Sequence, residues 1–99
     1  MSLARRNPRR DANEGEIVDY LRSRGALVHQ LSGPGLPDLL VGWCGRWLLL
    51  ECKRGSNPPT AAQELFLSVA RRGGLPVHII RSVSAAREVL DGHSRRTRP

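Results

Sequence analysis

The sequence Leu36-Pro-Asp38-Leu-Leu-Val-Gly42, followed by Arg46-Trp-Leu-Leu-Leu-Glu51-Cys-Lys53, decides the fold. Its apolar runs, 39–42 and 47–50, flank Gly-Trp-Cys-Gly at 42–45, a pattern typical of a β-hairpin with a glycine-containing turn. Asp38 stands where the first strand starts, and Glu51 and Lys53 where the second ends. Because strand residues two apart share a face, Glu51 and Lys53 should project together toward Asp38. Charge buried at such a sheet tip must be paired or bound to a metal.

The rest of the chain predicts helices around this hairpin. The strand at 46–53 has apolar residues on both faces, which indicates a central strand covered on both sides. The other patterns predict a helix over 13–24, a strand over 26–31, a loop over 32–37, a helix over 60–72, a strand over 76–81 and a last helix that ends at Gly92. The order α-β-β-β-α-β-α predicts an α/β fold with a mixed central sheet flanked by helices.

Capping patterns locate the helix starts. Asn13 is predicted as the N-cap of the first helix, with Glu16 as its reciprocal partner, and Gly25 as the stop. Thr60 and Gln63 form a second capping-box pattern. Ser82 or Ser84 would cap the last helix.

The apolar stripes of two helices predict which residues face the core. In the first helix, Glu14 lies at the end of a stripe made by Ile17, Val18 and Leu21, so it is an acid on the core-facing side. The alternative is a first-turn acid favoured only by the helix dipole. In the helix over 60–72, the predicted apolar stripe consists of Leu65, Phe66 and Val69.

Charge is concentrated at the two ends of the chain. Residues 1–10 hold four arginines, residues 93–99 hold three, and residues 11–92 hold nine basic and nine acidic residues, so the ends carry the whole net charge of +7. Basic tails around a neutral domain suit attraction to a phosphate backbone without sequence readout. The alternative is a pair of solvated arms that only aid solubility.

These charge boundaries predict the domain organisation. A chain of 99 residues is the size of one domain with a modest core. We expect a basic flexible arm at 1–12, a single folded domain at 13–91 and a basic tail at 92–99.

Cysteine, histidine and hydropathy patterns narrow the class of protein to which this chain belongs. Cys44 and Cys52, the only two cysteines, lack a metal-ligand spacing and are predicted to be reduced and structural. The three histidines are scattered and suggest no zinc site. No apolar run reaches the roughly 18 residues of a membrane span, and no secretory signal is visible. We therefore expect a cytoplasmic protein with no membrane partner.

The cation at position 53 is unusual for this chain. The sequence has fifteen arginines and one lysine, Lys53. Lysine carries a compact point charge, and its pKa moves readily. Arginine carries a planar guanidinium group that stays charged. This supports a chemical role for Lys53, although a single lysine has to fall somewhere.

These residues resemble the PD-(D/E)xK nuclease signature. Pro37-Asp38, a spacer of twelve residues and Glu51-Cys52-Lys53 match the motif, and a leading helix with Glu14 and the element order match the restriction-endonuclease-like fold. The chain is similar to small Holliday-junction resolvases and to virus-type replication-repair nuclease (VRR-NUC) domains, including phage-encoded members. The resemblance covers about residues 11–90.

The resemblance implies a Mg²⁺-dependent endonuclease acting on DNA, with Mn²⁺ as a substitute metal. Asp38 and Glu51 would be metal ligands, as would the backbone carbonyl of Cys52. Glu14 would complete the site directly or through water, and Lys53 would position the attacking water or offset transition-state charge. The implied location is the cytoplasm, that of the host if the protein is phage-encoded.

Three further residues are candidate contacts to substrate. Gln63 matches a glutamine that opens the next helix in virus-type members, although helix capping explains it equally well. Ser32 lies where resolvase-like enzymes carry a polar loop residue. Arg54 directly follows the motif lysine.

The expected activity is structure-selective cutting of branched or nicked DNA by a homodimer, with no small-molecule cofactor. No element for reading specific bases is apparent, and a small chain covers little DNA. The alternatives are a non-catalytic DNA-binding or assembly module that keeps the nuclease fold and a sequence-specific restriction-type enzyme.

Overall fold

The computed structural model describes residues 13–95 and confirms the predicted order of elements. Its three helices are α1 (Glu14–Ser23), α2 (Ala61–Arg72) and α3 (Val83–Arg95), and its four strands are β1 (Leu27–Gln30), β2 (Leu39–Trp43), β3 (Arg46–Cys52) and β4 (Val77–Ile80). The arm predicted at 1–12 and the end of the predicted tail at 96–99 lie outside the described residues. Within residues 13–95, no helix is both long and apolar enough to cross a lipid bilayer.

The four strands form one mixed sheet in the order β1-β2-β3-β4. The first three pair antiparallel, and β4 runs parallel to β3, so α2 makes the crossover that a parallel pair requires. The hairpin turn occupies only Cys44 and Gly45, whose φ angles of 50° and 78° suit a tight two-residue turn. The turn is therefore shorter than the predicted 42–45, and Trp43 remains in β2.

Most of the core lies on one face of the sheet, under α1 and α3. Leu39, Val41, Leu48 and Leu50 contribute from the two central strands and are at most 1% exposed. The helices contribute Ile17, Val18, Leu21, Ala86 and Leu90. This layer brings the start of α1, and with it Glu14, over the sheet.

The second face of the sheet is covered less completely. Leu67 and Ala70 of α2 are buried against Val77, whereas Trp47 at the start of β3 is 56% exposed. The prediction that β3 is covered on both sides is therefore wrong for its first half. The reason is that α2 packs over β4 and the end of β3 and does not extend across the hairpin.

The predicted apolar stripe of α2 is also wrong. Leu65 and Val69 are 67% and 54% exposed, and only Phe66 of the predicted set packs against the core. Apolar residues occupy most positions between 65 and 70, so more than one helical face fitted the pattern. The buried residues Leu67 and Ala70 are three apart, as one helix face requires.

Helix α1 starts at the predicted residue but is not capped in the predicted way. Asn13 is the N-cap residue, but its side chain makes no capping hydrogen bond, so the reciprocal partnership with Glu16 is wrong. Its amide instead donates to the backbone carbonyls of Lys53 at 3.3 Å and Arg81 at 3.1 Å. The side chain is thus used for tertiary contacts in place of local ones.

The α2 and α3 starts follow the predicted caps. Thr60 and Gln63 form the reciprocal pair predicted for α2, with bonds of 2.8 and 3.2 Å. For α3, Ser82 accepts from the Ala85 amide at 3.0 Å, so Ser82 caps this helix and Ser84 does not.

Helix α3 continues through Gly92 to Arg95, so the predicted stop at Gly92 is wrong. The last turn is held by contacts that the sequence pattern does not show. Ser94 accepts from the Trp43 indole at 3.0 Å, and the Nε2 atoms of His93 and His78 are 3.0 Å apart. Residues 92–95, predicted as the start of the basic tail, continue the helix.

The His78–His93 contact joins the end of α3 to β4 and shows that two histidines are not scattered. In such a bond one ring donates and the other accepts, so at least one ring is neutral. Burial lowers the pKa of His78, and the positive charge of His93 and Arg71 adds to the effect. Glu88 lines the same groove.

We expect acidification to destabilise the fold through His78. A lowered folded-state pKa means that this contribution is complete above the unfolded value of about 6.5 and is lost as pH falls below it. The melting temperature should be lower at about pH 5.5 than at about pH 7.5, and His78→Gln should remove part of that difference. Circular dichroism melts measure it, with His29→Gln, at an exposed histidine, as the control. An equal pH response in H78Q and the native protein would contradict this role.

Candidate metal centre

Asp38 lies at the end of the sheet away from the Cys44-Gly45 turn, directly before β2. The Leu31 amide donates to the Asp38 carbonyl at 2.8 Å, and Leu39 pairs with Leu50. One step further along that antiparallel register sets Asp38 beside Glu51, because paired positions advance in opposite directions. The fold therefore brings together two acids that are thirteen positions apart in the sequence.

The carboxylate of Asp38 binds the backbone of the motif itself. Its Oδ2 accepts from the Cys52 amide at 2.8 Å. The Lys53 amide donates to Ile80 on β4 at 3.0 Å, and successive amides of a strand point to opposite sides. Cys52 therefore turns its amide toward β2, where the Asp38 side chain takes the place of a strand partner.

Glu51 and Lys53 lie on the sheet face opposite Leu50 and Cys52. Glu51 is buried, at 1% exposure, and its Oε2 is 3.5 Å from Lys53 Nζ. This pairing satisfies the requirement that a buried carboxylate has a counter-charge nearby. The structure thus places the two motif side chains together, as their spacing predicts.

Glu14 reaches the same end of the sheet from α1. It is 2% exposed, and its Oε2 accepts from Gln30 Nε2 at 2.8 Å. One carboxylate oxygen each of Glu14 and Asp38 and the Cys52 sulfur all lie within 4.8 Å of one another. Ligands on opposite sides of a divalent ion are up to about 4–5 Å apart, given bond lengths of about 2.0–2.6 Å. This donor set fits a divalent cation, and the predicted ligand Glu51, on the other face of the sheet, is not part of it.

Cys52 has more contact with this cluster than its predicted structural role implies. Neither cysteine forms a disulfide, and Cys52 is buried at 1% exposure. In an extended strand the carbonyl of a residue faces the same side as its amide, so the Cys52 carbonyl also faces the Asp38 side of β3. Its side chain and its backbone both border the cluster.

The sequence patterns did not identify two residues that support the cluster, Asn13 and Gln30. Asn13 ties the start of α1 to the ends of β3 and β4 and so fixes the position of Glu14. Gln30 holds the Glu14 carboxylate. Strand alternation signals Gln30, because it places this polar residue on the same face as the buried Val28. No local signal marks Asn13, since its pattern is that of an ordinary cap.

Of the three predicted substrate contacts, two are exposed and one belongs to the capping box of α2. Gln63 uses Oε1 to accept from the Thr60 amide, which establishes the capping interpretation. Ser32 lies exposed between β1 and β2, and Arg54 lies exposed directly after β3. The loop after Arg54 is fixed by Arg81, whose guanidinium donates to the carbonyls of Gly55 and Asn57 at 2.8 and 2.9 Å.

Comparison with known proteins identifies one informative likeness. A solved structure described as a VRR_NUC domain matches with a TM-score of 0.69 and 27% sequence identity, over 82% of this chain and 97% of that chain. No family model matches the sequence, and no curated protein matches it. The structural match confirms the resemblance to VRR-NUC domains and the restriction-endonuclease-like fold with a mixed four-stranded sheet between helices.

Proposed function

We propose that this nuclease-fold chain is a metal-dependent endonuclease that hydrolyses phosphodiester bonds in DNA. The observation that carries the proposal is that carboxylate oxygens of Glu14 and Asp38 lie within 4.8 Å of the Cys52 sulfur, at the end of β3 where Glu51 and Lys53 form an ion pair. The similarity to a VRR_NUC domain supports the same conclusion. Mg²⁺ is the proposed ion because carboxylate oxygens are its preferred protein ligands, and Mn²⁺ should replace it.

Each predicted site residue has a distinct proposed task. Asp38, Glu51 and the Cys52 carbonyl would hold the ion, with Glu14 as a direct ligand or a water-mediated one. When bound, the ion would polarise the phosphodiester and lower the pKa of a water. Lys53, held beside Glu51, would orient the attacking water and offset negative charge in the transition state. Ser32, Gln63 and Arg54 remain proposed contacts to the DNA around this centre.

The proposed substrate is branched or nicked DNA. The assay compares a four-way junction, a nicked duplex and a random-sequence linear duplex, each with Mg²⁺ or Mn²⁺. Metal-dependent cutting that favours the junction or the nick supports the proposal. A cleavage consensus on the random duplex would indicate a sequence-specific enzyme, and binding without cutting would indicate a non-catalytic DNA-binding module.

The basic ends of the chain give a separate prediction about DNA binding. Deleting residues 1–10 and 96–99 removes six arginines and leaves α3 intact. The slope of log K against log salt should become shallower by about 0.9 for each DNA phosphate that the shortened chain no longer neutralises. Fluorescence anisotropy with labelled duplex across a salt series measures the slope. An unchanged slope would show that the ends do not contact DNA.

We also propose that the chain acts as a homodimer through the exposed side of α2. Leu65, Val69 and Leu75 are 67%, 54% and 56% exposed, and they border an open groove of about 490 Å³ that includes Phe66. Exposed leucine and valine side chains that cluster in this way mark an interaction surface. A second copy of the chain would bury them by a two-fold contact.

Leu65→Arg should therefore dissociate the dimer. The substitution puts a charge into the apolar contact, and the measured mass should fall from two chains to one. Light scattering coupled to size exclusion gives the mass at micromolar concentration. Leu27→Arg, at a leucine on β1 that is 63% exposed, is the control and should leave the dimer intact. A native protein of monomeric mass would refute the proposed dimer.

A further inference from the structure

The Cys52 thiol is an unusual neighbour for a magnesium site. Its sulfur lies within 4.8 Å of carboxylate oxygens of both Glu14 and Asp38, in a place where it is 1% exposed. Strand alternation sends Glu51 to one face and Cys52 to the other. Asp38 lies at the same end of the sheet, where its carboxylate accepts from the Cys52 amide. The cation site is therefore bordered by oxygen donors and by one sulfur donor.

Sulfur and oxygen donors select different ions. Mg²⁺ takes oxygen ligands and water, whereas Zn²⁺ and other softer ions bind cysteine sulfur together with carboxylate oxygen. The proposed function needs only the oxygen donors of this site. The position of the thiol consequently bears on which other ions the same site accepts.

We propose that the Cys52 sulfur is a side-chain ligand for thiophilic divalent ions, which bind with the carboxylates of Asp38 and Glu14 at the site where Mg²⁺ acts. The inference rests on the proposed function only in placing the catalytic cation at these carboxylates. It assigns the side chain of Cys52 a role that the backbone carbonyl does not have. Cd²⁺, Co²⁺ and Zn²⁺ are the ions to which the role applies.

Binding of such an ion requires the thiol to lose its proton. The S–H bond breaks, the proton passes to solvent, and a metal–sulfur bond forms, with no change of oxidation state. Ligation by a thiolate releases protons and makes the affinity depend on pH. Binding of Mg²⁺ through oxygen alone requires no such release from Cys52.

Titration with Co²⁺ in the absence of DNA tests the inference, because thiolate ligation gives a near-ultraviolet charge-transfer band. The titration uses Cys44→Ser as its background, since Cys44 is exposed in the hairpin turn. We expect the band in this variant and its loss when Cys52→Ser is added. The same addition should weaken Cd²⁺ binding by about tenfold or more, the scale of changes around metal sites, and should affect Mg²⁺ binding far less.

A second measurement does not depend on a buried substitution being tolerated. The ¹¹³Cd NMR shift of the folded Cys44→Ser protein distinguishes a sulfur-ligated ion from one held by oxygen alone. A shift in the sulfur range supports the inference, and a shift in the oxygen-only range overturns it. A protein that cuts DNA with Mg²⁺ but lacks the sulfur signature refutes this inference alone. One that shows the signature but never cuts DNA refutes only the proposed nuclease activity.

Discussion

Asp38→Asn is expected to lower Mg²⁺-dependent DNA cleavage by on the order of a thousandfold, the scale at which single electrostatic contacts to a reacting centre act. The physical reason is that asparagine keeps an oxygen able to accept from the Cys52 amide but removes the charge that would hold a divalent ion. The fold should survive. Because Glu14 lies buried beside it, loss of one of two close negative charges should leave the melting temperature without metal unchanged or higher.

Cleavage rates and melting temperatures of the same preparation separate the two effects. Glu16→Gln is the matched control, because Glu16 is an exposed acid on α1, two positions from Glu14. It should cut DNA at the native rate. If the Asp38→Asn protein were folded and cut DNA as fast as the native protein, Asp38 would have no place in a catalytic site.

Lys53→Met is expected to lower the free energy of unfolding by about 3 kcal/mol, as the loss of one partner of a buried ion pair does. Glu51 is 1% exposed and 3.5 Å from the lysine ammonium, so the substitution takes the lysine cation away from a negative charge in the interior. Glu51→Gln in the same chain should restore much of the stability, because it removes that charge. Both proteins should be inactive as nucleases, since both lack Lys53.

Urea unfolding of the two single variants and the double variant completes the cycle and gives the coupling between the two residues. Arg54→Met serves as the control, because Arg54 is an exposed cation next in sequence and should change stability by less than about 0.5 kcal/mol. A double variant as unstable as Lys53→Met would show that the pair does not couple. The Asp38 substitution thus tests how much a charge contributes to catalysis. The Lys53 substitutions test how much a charge contributes to the stability of the fold.

The hairpin is the part of the fold that the sequence predicts best. Two short apolar runs with acids at their ends determine both the strand pairing and the end of the sheet at which Asp38 and Glu51 are neighbours. Helical spacing likewise identifies Glu14 as a buried member of α1. These features depend on local periodicity, which is visible in a single sequence.

The errors occur where contacts between distant residues override a local pattern. Asn13 matches a cap, but its amide binds carbonyls that are 40 and 68 positions away. Gly92 matches a helix stop, but contacts of His93 and Ser94 hold the next turn. For α2, apolar residues on several faces leave the buried side undetermined until β4 is in place. The proximity of the Cys52 thiol to Glu14 is likewise a contact between distant residues that no local pattern shows.

The bonds of Asn13 also bear on when the cluster forms during protein synthesis. Helix α1 leaves the ribosome before the segment that holds the Arg81 carbonyl, which anchors Asn13 from 68 positions further along the chain. A nascent chain that stops before Arg81 can form the hairpin but lacks this anchor for Glu14. We therefore expect the full anchoring of Glu14 only after residue 81 has been translated, because until then Asn13 has only the Lys53 carbonyl to bind.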